Sequence, residues 1–186
     1  MKSNEQPPVV FLVGFMGAGK SAVGQYLAQH YRRRFADLDR VIEEREGRTI
    51  AEIFQNSGEV AFRRFETETL RILLSQGMPS PPQIVALGGG AYAREENVRM
   101  IREAGAVAVF LDAPVEELLL RCRREPNAHV RPNLQNESVF RRLYEERKPL
   151  YYRANFRVDT VGKPIEEDAH EVVRELGKAK ILWEES

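Results

Sequence analysis

The chain has 186 residues, 42% apolar and 30% charged, a balance that fits one globular domain and excludes a disordered chain. Lys+Arg and Asp+Glu both total 28, so the formal net charge is zero, which argues against a general nucleic-acid binder. No stretch approaches the roughly 20 apolar residues of a membrane span, the opening MKSNEQPP lacks a signal or transit pattern, and the single cysteine, Cys122, can form no internal disulfide. A cytoplasmic domain without membrane or nucleic-acid partners is expected.

Residues 9–13 are a continuous apolar run, which predicts a strand buried on both faces of a parallel sheet. A glycine-rich turn follows, then a helical pattern through Ala22, Val23, Tyr26, Leu27 and Tyr31. Residues 35–39 predict a second strand, and 41–77 two or three helices broken near Gly47 and Gly58. A third strand is expected at 84–87, a helix at 95–104, a fourth strand at 107–111 and a helix at 114–124. Cys122, among leucines on that helix, reads as a small packed side chain. The segment EPNAHVRPNLQN, 125–136, carries two prolines and three asparagines and predicts a loop. A charged helix at 137–153, a fifth strand at 156–158 and a final helix at 165–182 complete the chain, with Trp183 as a packing or tail residue. Strands alternating with helices give an α/β class, a five-stranded parallel sheet flanked by helices, as one domain over 1–186. Ligands in such sheets sit beyond the carboxyl ends of the strands.

Gly14-Phe15-Met16-Gly17-Ala18-Gly19-Lys20-Ser21 matches G-x-x-x-x-G-K-[ST], between an apolar strand and a helix. The glycines let backbone N–H groups turn inward around phosphate oxygens, and the helix adds its positive end. Lys20 reaches the outer phosphates and the Ser21 hydroxyl holds Mg²⁺. This loop specifies a nucleotide site and leaves the reaction open, since GTPases, transporters and small-molecule kinases share it. The chain has no guanine-reading N-K-x-D segment.

Asp37 and Asp39 end the second predicted strand, where residues two apart share a face. Two adjacent carboxylates need compensation: a magnesium ion for Asp37, acceptor hydroxyls for Asp39. Alternatively, Asp39 caps a helix starting at Arg40. Arg63 and Glu66 stand three apart on a predicted helix and can pair. Gly88, Gly89 and Gly90 end the third strand, a costly run that points to close approach of backbone and ligand. Arg131 lies in the loop and Arg147 in the helix after it.

The ordered set GFMGAGKS, DLD, FRRFE, GGGA, RP and RKPLYY, spread over 9–159, resembles shikimate kinase. The resemblance implies a nucleoside-monophosphate-kinase-like P-loop fold and transfer of the γ-phosphate of ATP to the 3-hydroxyl of shikimate, in aromatic amino-acid biosynthesis. It implies a lid at about 124–138 and a shikimate-binding region at about 39–66. Gly17, Ala18, Gly19, Lys20, Ser21 and Ala22 correspond to the ATP-binding stretch, with Arg121 near adenine and Arg131 reaching over the phosphates from the lid. Ser21 and Asp37 correspond to the Mg²⁺ side. Asp39 corresponds to the residue that holds shikimate hydroxyls and acts in catalysis beside Lys20 and Arg131. Arg63 and Arg147 correspond to the pair gripping the shikimate carboxylate, with Gly88, Gly89 and Gly90 lining that pocket. Where the family often reads R-P-L-L, this chain reads Arg131-Pro132-Asn133-Leu134. The expected working form is a monomer rather than an obligate oligomer. A kinase for another small hydroxy acid, such as gluconate, a nucleoside-monophosphate kinase, and a non-catalytic nucleotide-binding module or regulatory partner are the rival readings.

Overall fold

The computed structural model describes residues 8–75, 83–124, 136–181 and 183. Five parallel strands lie in the order β2-β3-β1-β4-β5. They are β1 (Val10–Val13), β2 (Phe35–Asp37), β3 (Ile84–Ala86), β4 (Val107–Asp112) and β5 (Phe156–Asp159). All four β1 residues are buried, as a central strand covered on both faces requires, and this explains its unbroken apolar sequence. β2 and β5 form the edges and are only partly buried.

Seven helices connect or follow the strands among the described residues: α1 (Lys20–His30), α2 (Leu38–Glu46), α3 (Ile50–Leu74), α4 (Glu95–Glu103), α5 (Val115–Arg124), α6 (Glu137–Tyr151) and α7 (Ile165–Lys178). α3 is kinked at Gly58, and its start is a capping box: Thr49 Oγ1 accepts from the Glu52 N–H at 3.2 Å while the Thr49 N–H donates to Glu52 Oε2 at 2.8 Å. α1 packs beside α7, and α2 beside α3. Phe11, Leu12, Leu27, Leu38, Ile84 and Phe140 are among the fully buried side chains, each worth about 1.5–3 kcal/mol of burial.

The strands fall where the sequence pattern places them, with one consequential difference. The second strand ends at Asp37, and Leu38 already begins α2. Asp37 is itself the N-cap: its carboxylate accepts the Asp39 N–H, so the turn into the helix replaces continuation of the strand. The final helix stops at Lys178 rather than 182, with Lys180 in a left-handed conformation just beyond. Cys122 is fully buried, and Trp183 packs on Tyr31 at 6.0 Å between ring centroids. Of the loop expected at 125–136, all but Asn136 lies outside the described residues. Among the described residues no helix is long and apolar enough to cross a membrane.

Strand register sets the site. Leu12 pairs with Ala86, and Ala86 pairs with Asp37. The carboxyl ends of β1, β2 and β3 therefore finish at one level, and the segments after them converge over the same edge.

Candidate active site

The loop after β1 is held from below. Gly17 has φ 80°, and a methyl group there would stand 2.7 Å from both Cys122 Sγ and the Leu118 carbonyl oxygen of α5, so only glycine fits. Lys20 Nζ folds back over the loop and donates to the carbonyl oxygens of Gly14 at 3.0 Å and Phe15 at 2.8 Å. No side chain among the described residues caps α1, so its first-turn N–H groups and positive end face the cleft. Phe15 turns the other way, with its ring edge-on to Phe140 and Tyr144 of α6, centroids 5.0 and 5.6 Å apart. The Arg147 guanidinium lies 6.0 Å from the Phe15 ring centroid. The phosphate loop and α6 are thereby packed as one unit.

Ser21 donates its hydroxyl hydrogen bond to Asp37 Oδ2, while Asp37 Oδ1 accepts the Asp39 N–H at 3.1 Å. This pair of hard oxygen groups beside the phosphate loop suits Mg²⁺, which is bound by one or two protein oxygens and completes its shell with water and phosphate. Among the described residues there is no group of three or more His, Cys, Asp or Glu that could hold a metal ion.

Asp39 sits in the first turn of α2. Its Oδ1 is buried without a hydrogen-bond partner among the described residues, and a methyl group at Gly88 would lie 2.6 Å from it. Burial, then the neighbouring Asp37, push its pKa up to about 6, against the opposing pull of Lys20 and Arg63. Arg63 of α3 is gripped by acids: Nη1 donates to the two Glu66 oxygens at 3.0 and 3.1 Å, and Nε and Nη2 to Glu59 at 3.3 and 3.1 Å. A methyl group at Gly90 would meet Arg63 Nη1 at 2.6 Å. Glu66 is fully buried; burial raises its pKa, and Arg63 opposes the rise. Tyr151 of α6 donates its hydroxyl to the Gly89 carbonyl. The triple-glycine turn thus lies flush against Asp39 at Gly88 and against Arg63 at Gly90, where a side chain would crowd the carboxylate and the guanidinium.

These groups line one cleft of about 1110 Å³. It brings together Gly17, Gly19, Lys20, Ser21, Ala22, Asp37, Asp39, Arg63, Gly88, Gly89, Gly90 and Arg147. Ala18 is buried under the loop and offers only its backbone. Arg121 stands outside this cleft, donating to Glu117 at 2.8 Å and to the Thr160 hydroxyl at 3.1 Å. Arg131 lies outside the described residues. Asp37 and Asp39 reach the same cleft as expected, but by a cap and a helical turn rather than by strand alternation.

Sequence reasoning missed the opposite wall. Ile50, Ala51, Phe54 and Phe62 of α3 present an apolar surface, flanked by Gln55 and Glu43. Phe54 and Phe62 lie against each other, ring centroids 4.7 Å apart. Their helical spacing reads equally well as ordinary core, so only the fold shows that they face the cleft. The cleft therefore combines a phosphate cradle, a cation pair, a buried carboxylate and an apolar wall. Such a cavity can hold the phosphate end of a nucleotide beside a small anionic hydroxylated acceptor.

The family model for shikimate kinase matches residues 16–177. The shikimate kinase of Persephonella marina is 38% identical over 90% of this chain and 95% of its own, and one from Thermus thermophilus is 39% identical over 90% and 89%. Among solved structures, shikimate kinase from Acinetobacter baumannii in complex with shikimate superposes with a TM-score of 0.84 at 36% identity, covering 96% of this chain and 98% of that one. A gluconokinase from Sinorhizobium meliloti has a TM-score of 0.55 at 21% identity, which speaks to fold alone. Because the family match takes in both aspartates, both arginines and the glycine turn between them, and the relatives align over nine-tenths of the chain, this chain belongs to the shikimate kinase family.

Proposed function

We propose that the protein transfers the γ-phosphoryl group of ATP to the 3-hydroxyl of shikimate, releasing shikimate 3-phosphate and ADP. The observation that carries this reading is the triple-glycine turn wedged between Asp39 and Arg63, in the same cleft as the phosphate loop and Arg147. A planar carboxylate matches the planar forks of Arg63 and Arg147, and two forks fix its angle as well as its position. Asp39, with a buried oxygen that has no other partner among the described residues, accepts hydrogen bonds from ring hydroxyls and aims one at the phosphorus. The apolar wall of Ile50 and Phe54 covers the carbon face of the ring.

Phosphoryl transfer has a loose transition state, so positioning and neutralisation of charge carry most of the catalysis. Lys20 and the first-turn N–H groups of α1 supply positive charge to the phosphate oxygens. Ser21 and Asp37 would hold Mg²⁺, which neutralises charge on the phosphates when bound. Arg131 supplies a further positive charge from the 124–138 lid, and Arg121 serves the adenine end. The loss of the acceptor proton goes through Asp39, whose pKa of about 6 leaves it ionised and basic at neutral pH. We place the enzyme in the cytoplasm and take its working form to be a monomer.

A coupled assay of ADP release tests the proposal. Magnesium-dependent ADP production is expected with shikimate and to be at least tenfold lower with gluconate or with no acceptor. Equal rates with gluconate would reassign the acceptor, and acceptor-independent release would reduce the protein to an ATPase.

A further inference from the structure

We propose that Tyr151 is a positioning residue for the acceptor, its hydroxyl fixing the middle of the triple-glycine turn against Arg147; the inference rests on the acceptor-pocket reading above. Three consecutive glycines have the greatest backbone freedom of any such run. The Ala91 N–H closes the turn on the Gly88 carbonyl at 3.0 Å and the Ala93 N–H bonds the Gly90 carbonyl at 3.2 Å, which leaves the Gly89 carbonyl to be held by a neighbour. The first end is anchored by the sheet, where the Leu87 N–H donates to the Leu12 carbonyl at 3.0 Å. The far end is anchored from α4, where Asn97 Nδ2 donates to the Ala91 carbonyl at 3.0 Å and Asn97 Oδ1 accepts from Thr67 at 2.9 Å. Among the described residues, the side chain that holds the middle is Tyr151, donating to the Gly89 carbonyl.

Tyr151 is suited to that task. It is 1% exposed, and its ring is packed on Phe110 with centroids 5.3 Å apart, so the hydroxyl has one aim. Burial lifts the phenol above its ordinary pKa, so it stays a donor throughout the working pH range. It follows Arg147 by four residues on α6, which puts both on one helix face, and the Arg147 guanidinium is near enough to oppose the phenol's shift by charge and hydrogen bonding. A methyl group at Gly89 would lie 3.8 Å from Arg147 Nη1 and 3.6 Å from the Met16 N–H nitrogen of the phosphate loop. Gly89 is therefore the point where the acceptor's cation, the glycine turn and the phosphate loop meet. Fixing it fixes the distance between the grip on the acceptor's carboxylate and the phosphate.

The test compares Tyr151→Phe, which removes the hydroxyl and keeps the ring, with Arg147→Ala. Tyr151→Phe is expected to raise the shikimate KM about 3- to 10-fold, the effect of one lost hydrogen bond, and to leave the ATP KM within about twofold. In the double variant the shikimate KM should rise less than the product of the single effects, because both act on one contact. If Arg147→Ala leaves the shikimate KM unchanged, the acceptor-pocket reading itself fails. If Arg147→Ala raises it while Tyr151→Phe does not, the pocket stands and the positioning role is overturned. Equal shifts in both KM values, or loss of folding in Tyr151→Phe, would make the hydroxyl a general structural requirement and would also overturn the proposal.

Discussion

The two ends of the cleft are built by opposite strategies. The phosphate loop is local in its chemistry: Gly14 to Ser21 supply the turn, the amides and the cation in eight consecutive residues, while α5 and α6 only support it through Gly17 and Phe15. The acceptor pocket is assembled: Asp39 comes from α2, Arg63 from α3, the glycines from the end of β3 and Arg147 from α6. A local site keeps its geometry as long as its own backbone is intact. An assembled site depends on packing among elements far apart in sequence, so substitutions there should separate acceptor from nucleotide. Variants in the two regions test that difference directly.

The largest effect is expected at the local end. Lys20→Ala removes the cation that serves the transferring phosphoryl group, and turnover should fall roughly 10²- to 10³-fold at saturating shikimate, the range for loss of one preorganised charge-stabilising donor. Shikimate binding measured by calorimetry should survive within a few-fold. A Lys20→Ala enzyme with less than a tenfold loss of kcat would mean that the loop amides suffice.

Asp39→Asn sits at the join of the two ends. We expect about a 10²-fold loss of kcat with MgATP affinity kept within a few-fold; a matching loss of nucleotide affinity would place Asp39 on the metal side. The same residue sets two pH dependences. kcat/KM for shikimate should rise through an apparent pKa of about 6 as the carboxylate ionises. Stability should move the other way. The folded pKa of about 6 lies above the ordinary 3.8, so between those values the folded protein retains a proton that the unfolded chain has released. Stability then declines as pH rises through that window, and the deficit persists above it. Asp39→Asn removes the deficit and should stabilise the protein at pH 7.5 by on the order of 1–3 kcal/mol, read by denaturant unfolding. An Asn variant less stable than wild type at pH 7.5 would contradict the buried, charge-repelled carboxylate.

Arg63→Ala attacks the assembled end alone. Loss of one charge-assisted contact costs about 1.5–3 kcal/mol, or roughly 10- to 150-fold in kcat/KM for shikimate, with little change in ATP KM. It also leaves Glu66, fully buried, without the partner that bonds both its oxygens, so a lower Tm should accompany the kinetic change. Unchanged shikimate kinetics would remove Arg63 from the carboxylate site.

The same contrast decides what can be read from the sequence. The phosphate loop is legible because one contiguous pattern contains its geometry, and β1 because its continuous apolar run admits few other readings. Asp37 and Asp39 are legible as a pair but not in their conformation. A strand of three residues ending in Asp looks the same whether that Asp continues the strand or caps the next helix, and the choice is made by the hydrogen bond from the Asp39 N–H. The apolar wall is hidden because Ile50 and Phe54 have the spacing of any core-facing helix. Tyr151 is hidden although its four-residue offset from Arg147 is available, because nothing local shows that α6 packs against a turn some sixty residues earlier, at Gly89.

The smallest effect should come from the far wall of the assembled site. The first turns of α3 present Ile50, Ala51 and Phe54 to the cleft, and the kink at Gly58 separates them from the half that carries Arg63. What starts this segment is the Thr49–Glu52 capping box, which is solvent-exposed and whose hydrogen bonds hold the Glu52 carboxyl below its ordinary pKa. Thr49→Ala should cost about 0.5–1 kcal/mol of stability and should speed amide exchange across 50–57 more than across 59–74. If the apolar wall only covers the acceptor ring, the shikimate KM should rise about twofold and the ATP KM stay constant. Uniform exchange across both halves of α3 would mean that the kink does not divide the helix, and that the wall and Arg63 are one rigid piece.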